Sequence, residues 1–323
     1  MERFAIVVDS SADLTQEQYD AMHIDGFIPL SFSIDGKEYL SYPDERELTA
    51  EELYATLRNT KAVVGTSQPN PGRIEDALEA LLRQGKDVLY IAFTSGLSGT
   101  CASAQLVAED LRERYPGQKL FVVDTLCACC GVAALIEPVV KMREAGCSIE
   151  DARDWLEENK RRVCHWISVD DLGHLYRGGR LSAAGAVVGT ALGIKPIIDL
   201  NSEGKLITQE KVRGKNNVYA ALARHLEDAD NLDVIYITHA GAPEEAKKLA
   251  ETIKKNYKVG EIRYSSIAAV IPAPAPLPLS SSVPVRTQSN IPLPGEYTRK
   301  PPFQAVFSFS RGGRTGSTAG FMV

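Results

Sequence analysis

Short apolar runs alternate with amphipathic stretches along the first half of this chain. Phe4–Asp9, Asp87–Phe93 and Lys119–Asp124 are almost unbroken runs of Val, Ile, Leu, Ala and Phe. Runs this short, without alternation, fit parallel strands buried on both faces. Between and around them, Leu14–Met22, Thr49–Leu57, Pro71–Gln84, Cys101–Tyr115 and Gly131–Ala145 carry helical spacing. Asp13 or Thr15 is available to cap the first helix, and Thr49-x-x-Glu52 is a capping box for the second. Phe27–Ile34 and Lys37–Leu40 flank Asp35-Gly36. That dipeptide accepts the left-handed backbone of a two-residue turn, so a hairpin is predicted. Strands alternating with helices predict an α/β layer fold.

The texture changes after the helix predicted for Ile149–Arg161. Arg162–Val169 alternates as an antiparallel strand does. Leu192–Leu200 and Lys205–Arg213 flank Asn201–Gly204 and predict a second hairpin. A helix over Asn216–Glu227, a strand over Leu232–His239, a helix over Pro243–Asn256 and a strand over Glu261–Ile267 complete the pattern. The predicted architecture is α/β with two domains. Residues 1–160 form an N-terminal parallel-sheet α/β domain, and 161–271 a C-terminal α/β domain with a mainly antiparallel sheet. A length of 323 residues fits two domains better than one.

Composition narrows the function. Hydrophobic content of 44% and charged content of 24% are globular averages. A net charge of -6 argues against a nucleic-acid partner, which a basic face would serve. No apolar run reaches membrane-spanning length, and the start leads straight into a strand without a signal peptide. Six cysteines in a chain this long read as reduced thiols of a cytoplasmic protein. Cys127, Cys129 and Cys130 with Cys164-His165 fit no standard zinc spacing and read as small buried residues. Neither a phosphate-binding Gly-x-x-x-x-Gly-Lys loop nor a nucleophile elbow occurs, and no metal or cofactor is expected.

Hydroxyls and acids cluster where the apolar runs end: Asp9-Ser10-Ser11, Thr94-Ser95 to Ser98, and Asp124-Thr125. Gly65-Thr66-Ser67-Gln68-Pro69 reads as a fourth hydroxyl-rich turn. Ligands of open α/β sheets sit outside the carboxyl ends of the strands. Hydroxyls and helix amides at such an edge suit an anion. Each turn alone reads equally as helix capping.

Taken together, Val8-Asp9-Ser10-Ser11-Ala12-Asp13-Leu14, Thr66-Ser67-Gln68-Pro69, Ser95-Gly96-Leu97-Ser98-Gly99-Thr100 and Leu175-Tyr176-Arg177-Gly178-Gly179-Arg180 closely resemble the DegV family. Lys195-Pro196, Lys211-Val212-Arg213 and His239-Ala240 fit as well, and the resemblance spans about residues 3 to 271. It implies a bacterial fatty-acid carrier without catalysis of its own, which presents a long-chain fatty acid to a separate fatty acid kinase subunit for phospholipid synthesis. It further implies that Thr66 and Ser98 hold the carboxylate. Ser95 is the second choice of donor, and Arg213 a further candidate near the head group, though equally readable as a surface residue. The exposed turn bearing Arg177 and Arg180, with His174 nearby, is the candidate kinase-docking site. A C16 tail buries about 14 methylenes at roughly 0.8 kcal/mol each, about 11 kcal/mol before association costs. Two neutral donors therefore suffice to position the head. The rival reading is an acyl hydrolase or transferase with Ser95 or Ser98 as nucleophile, for which no His–acid pair is recognisable.

From Pro272 the sequence turns proline-rich and stays so past Pro302. One reading of residues 272–323 is a disordered low-complexity tail. The other is a shifted reading frame. Ala268 to Pro276 are encoded GCN GCN GTN ATH CCN GCN CCN GCN CCN, and regrouping from the wobble bases permits Gly-x-His-Thr-Gly-Pro-Gly-Thr. The resembled family closes with Gly-x-His-x-Gly-Pro-Gly and an apolar strand. Their loss predicts weakened lipid retention, or a product without function.

Overall fold

Alternate residues of the apolar runs face opposite cores, and that requirement shapes the fold. The computed structural model describes residues 4–59, 64–67, 69–169, 172–177, 179–181, 194–227, 229 and 232–268 of the chain. All of them belong to one compact unit. Strands β1 (Ala5–Asp9), β2 (Gly26–Ile28), β6 (Val88–Ala92) and β7 (Leu120–Asp124) form a parallel sheet in the order β2-β1-β6-β7. Ala5, Val7, Val88, Tyr90 and Ala92 pack with Ile74, Leu78 and Leu82 of α3 (Pro71–Leu82) and Ala104, Ala108 and Leu111 of α4 (Thr100–Arg114). Ile6, Val8, Leu89 and Ile91 belong to a second core with α5 (Cys130–Glu144) and α6 (Ile149–Asn159). Helices on both faces explain why the runs lack a polar alternate.

Helix α1 (Gln16–Ala21) is capped by Thr15, whose hydroxyl accepts from Gln18 N, while Asp13 takes a left-handed conformation just before it. Helix α2 (Ala50–Asn59) opens with the predicted box: Thr49 Oγ1 accepts from Glu52 N, and Glu52 accepts from Thr49 N. Asp35 and Gly36, at φ 49° and 82°, turn the hairpin of β3 (Leu30–Ile34) and β4 (Lys37–Ser41).

Three local expectations are corrected. Phe27–Ile34 is not one strand. Pro29 has no N–H for a ladder, so β2 ends before it in the parallel sheet and β3 begins a separate antiparallel sheet with β4. Gly65–Pro69 is not a turn throughout: β5 (Val64–Ser67) pairs antiparallel with the open edge of β3. Four small residues, only two of them polar, gave no periodicity to reveal it. Arg162–Val169 is largely not a strand, since only β8 (Ile167–Ser168) pairs. Val163 and His165 are buried instead, and His165 Nε2 accepts from Ala128 N at 3.2 Å, which draws the segment into the core.

After the short helix α7 (Leu172–Arg177) the chain returns in β9 (Ile194–Leu200) and β10 (Leu206–Arg213), an antiparallel hairpin that β8 extends. Helices α8 (Lys215–Arg224) and α9 (Pro243–Asn256) pack a third core with Ile197, Ile235 and Ile237. Strands β11 (Val234–His239) and β12 (Glu261–Ser266) pair parallel. The proline-rich residues 272–323 lie outside the described residues.

Candidate functional site

The parallel sheet points β1, β6 and β7 the same way, so their carboxyl ends share one edge. Asp9, Thr94-Ser95 and Asp124-Thr125 therefore emerge side by side there, from residues far apart in sequence. Most of these groups are tied into local structure. Asp9 is buried; one oxygen accepts from Ser11 N at 2.8 Å and from the Ser11 hydroxyl, the other from the Tyr90 hydroxyl at 2.5 Å. Burial raises the Asp9 carboxyl above its usual range, and the Ser11 and Tyr90 hydrogen bonds oppose part of that shift. Thr125 Oγ1 donates to Ala92 O at 2.8 Å and accepts from Cys127 N at 3.2 Å.

The loop after β6 is held from three sides. Asp124 Oδ1 accepts from Ser95 N at 3.2 Å. Arg180 Nε donates to Leu97 O at 3.2 Å. The turn of the β9–β10 hairpin closes the third side: buried Thr94 donates from Oγ1 to Gly204 O at 3.1 Å. That approach needs two glycines. A Cβ on Gly96 would lie 2.5 Å from Glu203 O, and one on Gly204, at φ +70°, would lie 1.9 Å from Thr94 Oγ1. Within this loop Ser95 is exposed and Ser98 half-buried. Ser98 Oγ lies 2.9 Å from Thr100 Oγ1 and accepts from Thr100 N at 3.3 Å, at the start of α4.

Thr66 sits on the other sheet. It pairs with Phe32, and directly opposed residues of an antiparallel pair share a face. Phe32 is 1% exposed and stacks on Tyr39 with ring centroids 5.4 Å apart, so the Thr66 side chain shares an apolar face. Phe32 belongs to the same continuous apolar cluster as Leu53, Tyr54, Val169, Leu172 and Ile198, and Leu97, beside Ser98, packs against it. Phe32, opposite Thr66 on β3, and Leu97, next to Ser98 in the loop after β6, thus meet the same apolar cluster.

The arginines are placed separately. Arg213 ends β10, is exposed, and pairs with Ile194 at the end of the hairpin opposite the Gly204 turn. Arg180 is exposed and bonded to the Ser98 loop, and Arg177 is the last residue of α7. The side chains of Arg177 and His174 lie outside the described residues. Cys127, Cys129 and Cys130 are buried, which pushes their thiols well above the usual range. Among the described residues no group of three or more His, Cys, Asp or Glu side chains is placed to hold a metal ion. Also among them, no helix is long and apolar enough to cross a membrane.

Two residues not singled out as site candidates matter here. Asp13 is buried; its oxygens accept from Ala268 N at 2.8 Å and Thr238 Oγ1 at 3.3 Å. Burial, with a smaller contribution from nearby Asp9, pushes its carboxyl up to about 7. The Tyr54 hydroxyl donates to Ile267 O at 2.8 Å. In the sequence Asp13 shows as a capping candidate and as one member of the Val8–Leu14 motif, and Tyr54 as one aromatic in an amphipathic helix. Their partners more than 200 residues away leave no local signal.

The fold and edge define a mixed α/β protein with hydroxyl-bearing loops beside a shared apolar core. The DegV family profile matches residues 3–274. A DegV domain-containing protein of Clostridium perfringens is 38% identical over 84% of this chain and 93% of its own length, and one of Lactococcus lactis is 33% identical over 83% and 92%. The chain belongs to the DegV family. A DegV family protein of Thermus thermophilus, described as fatty-acid binding, superposes with TM-score 0.77 at 27% identity over 89% of this chain and 100% of its own. DegV of Bacillus subtilis, a fatty acid binding protein, superposes at 0.73 with 29% identity over 84% and 94%.

Proposed function

We propose that this chain binds one long-chain fatty acid between residues 1–160 and 161–271 and presents its carboxylate to a separate kinase. The observation that carries the reading is the shared apolar cluster: Phe32, paired with Thr66, belongs to it, and Leu97, next to Ser98, packs against it. An alkyl chain gains most of its affinity by burial in such a region. Thr66 and Ser98 then supply the neutral donors for the head, and Ser95, exposed on the same loop, is the alternative donor. The fatty-acid-binding relatives support the ligand class. The two-part division near residue 160 and the cytoplasmic location belong to the same proposal.

Native mass spectrometry of the full chain, as purified and after incubation with palmitate, tests it. Bound acid is expected in the parent, with affinity about tenfold lower in Thr66→Val and in Ser98→Ala, as the loss of one hydrogen bond implies. Equal occupancy in all three chains refutes the assignment. Phosphoryl transfer to bound acid by a separate kinase should fall when Arg177 and Arg180 are changed to Glu, and unchanged transfer removes the docking role.

The nucleophile reading has less support. Ser98 is bonded to Thr100, and among the described residues no imidazole is bonded to Ser95 or Ser98. Incubation with an acyl ester should leave no covalent adduct. The frame-restored chain should retain more acid than this one, and equal retention would remove the proposed role of the altered C-terminus.

A further inference from the structure

Ser10 lies among the strand-end hydroxyls, yet its own hydroxyl is buried and bonded on both sides. Oγ donates to Ser41 O at 2.7 Å and accepts from Leu30 N at 2.9 Å. Ser10 is 6% exposed. Leu30 and Ser41 are themselves partners, the pair that closes the open end of the β3–β4 hairpin. One hydroxyl therefore joins both strands of the β3–β4 hairpin to the end of β1. Pro29 is the sole residue linking β2 to β3 along the chain; it limits their separation but supplies no N–H to bond the two sheets together, which leaves that to side chains such as Ser10. The anchor is in turn held by the Asp9 cap, which Tyr90 braces from β6.

β5 hangs on the far edge of β3, with Ser67 opposite Ser31 and Thr66 opposite Phe32. Leu30 is two residues from Phe32, about 7 Å along the strand. We infer that Ser10 is a positioning residue for Thr66: through Leu30 and Ser41 it fixes the β4-β3-β5 sheet against the carboxyl edge of the parallel sheet, and so sets where the Thr66 hydroxyl stands. This rests on the proposed role of Thr66 as a carboxylate donor. Ser10 itself touches no ligand, because its donor and an acceptor site are already engaged. Replacing it by Ala leaves the Leu30 N–H and Ser41 carbonyl without this partner and frees the sheet to shift.

A double-mutant cycle on palmitate binding by the full chain tests this. Dissociation constants are measured for the parent, Ser10→Ala, Thr66→Val and the double variant. Ser10→Ala is expected to weaken binding about tenfold, and the double variant to bind no more weakly than Thr66→Val. Multiplying effects would show that Ser10 acts independently of Thr66 and overturn the inference, as would an unchanged constant in Ser10→Ala. An unchanged constant in Thr66→Val would instead overturn the donor role of Thr66, and the Ser10 inference with it. Hydrogen exchange supplies a second readout: the Leu30 amide should lose protection in Ser10→Ala. If Ser10→Ala does not fold, Ser10→Cys keeps the volume with a weaker donor and is read through the same cycle.

Discussion

Replacing Asp13 by Asn should change how stability depends on pH, and by an amount the structure sets. The Asp13 carboxyl is raised from 3.8 to about 7, first by burial and then by the charge of Asp9, against hydrogen bonds from Ala268 N, Cys129 and Thr238. A raised acid favours the protonated form in the folded state. Its stabilising contribution is therefore complete below the unfolded value near 3.8 and is lost as pH rises toward 7. At about 1.36 kcal/mol per unit, folding should lose about 2 kcal/mol between pH 5 and 7 from this group alone. His165 works in the opposite direction. Burial lowers it from 6.5 to about 4, so its contribution is lost as pH falls, and stability rises by about 2 kcal/mol over the same interval. The two slopes oppose each other, so the pH dependence of the parent alone does not isolate Asp13 and the comparison with a variant is needed. The amide of the Asp13→Asn variant keeps an acceptor for Ala268 N and a donor toward Thr238 but cannot ionise. Urea unfolding of both chains at pH 5, 6, 7 and 8 should therefore show the variant gaining about 2 kcal/mol on the parent from pH 5 to 7. Asp9, raised in the same sense, is present in both and drops out of the difference to first order. A stability difference that stays constant with pH would refute the reasoning.

Gly204→Ala should cost about 1–3 kcal/mol, because a Cβ there meets Thr94 in a left-handed backbone; faster amide exchange in the Ser95–Gly99 loop should accompany the loss, and an unperturbed loop would show that the hairpin turn does not hold it. Arg143→Ala should cost about 3–5 kcal/mol in urea unfolding. Its buried guanidinium binds Asp25 at 2.7 Å and the carbonyls of Met22 and His23 at 2.9 Å, and a loss below about 1 kcal/mol would contradict that account.

The parallel sheet was legible because each strand carried its own statement. Burial on both faces leaves no polar alternate, and runs such as Ala-Ile-Val-Val at Ala5–Val8 record that condition locally. The Asp35-Gly36 turn and the Thr49 box were legible for the same reason, since their partners lie within a few residues. β5 was not: Gly-Thr-Ser becomes a strand only because β3 offers an unpaired edge beside it.

Within the site, the amino-acid order determined which hydroxyls follow which strands, and the grouping of Ser95, Ser98 and Asp9 at strand ends follows from that order alone. Tertiary structure decided what each hydroxyl does. Ser10 and Thr125 became internal struts, Thr66 moved onto a second sheet facing an apolar cluster, and Asp13 reached the end of β12. A serine looks the same in the sequence whether it caps a turn, braces a sheet or meets a ligand. The hydrogen bond that distinguishes these roles depends on which distant backbone atom folding brings within about 3 Å.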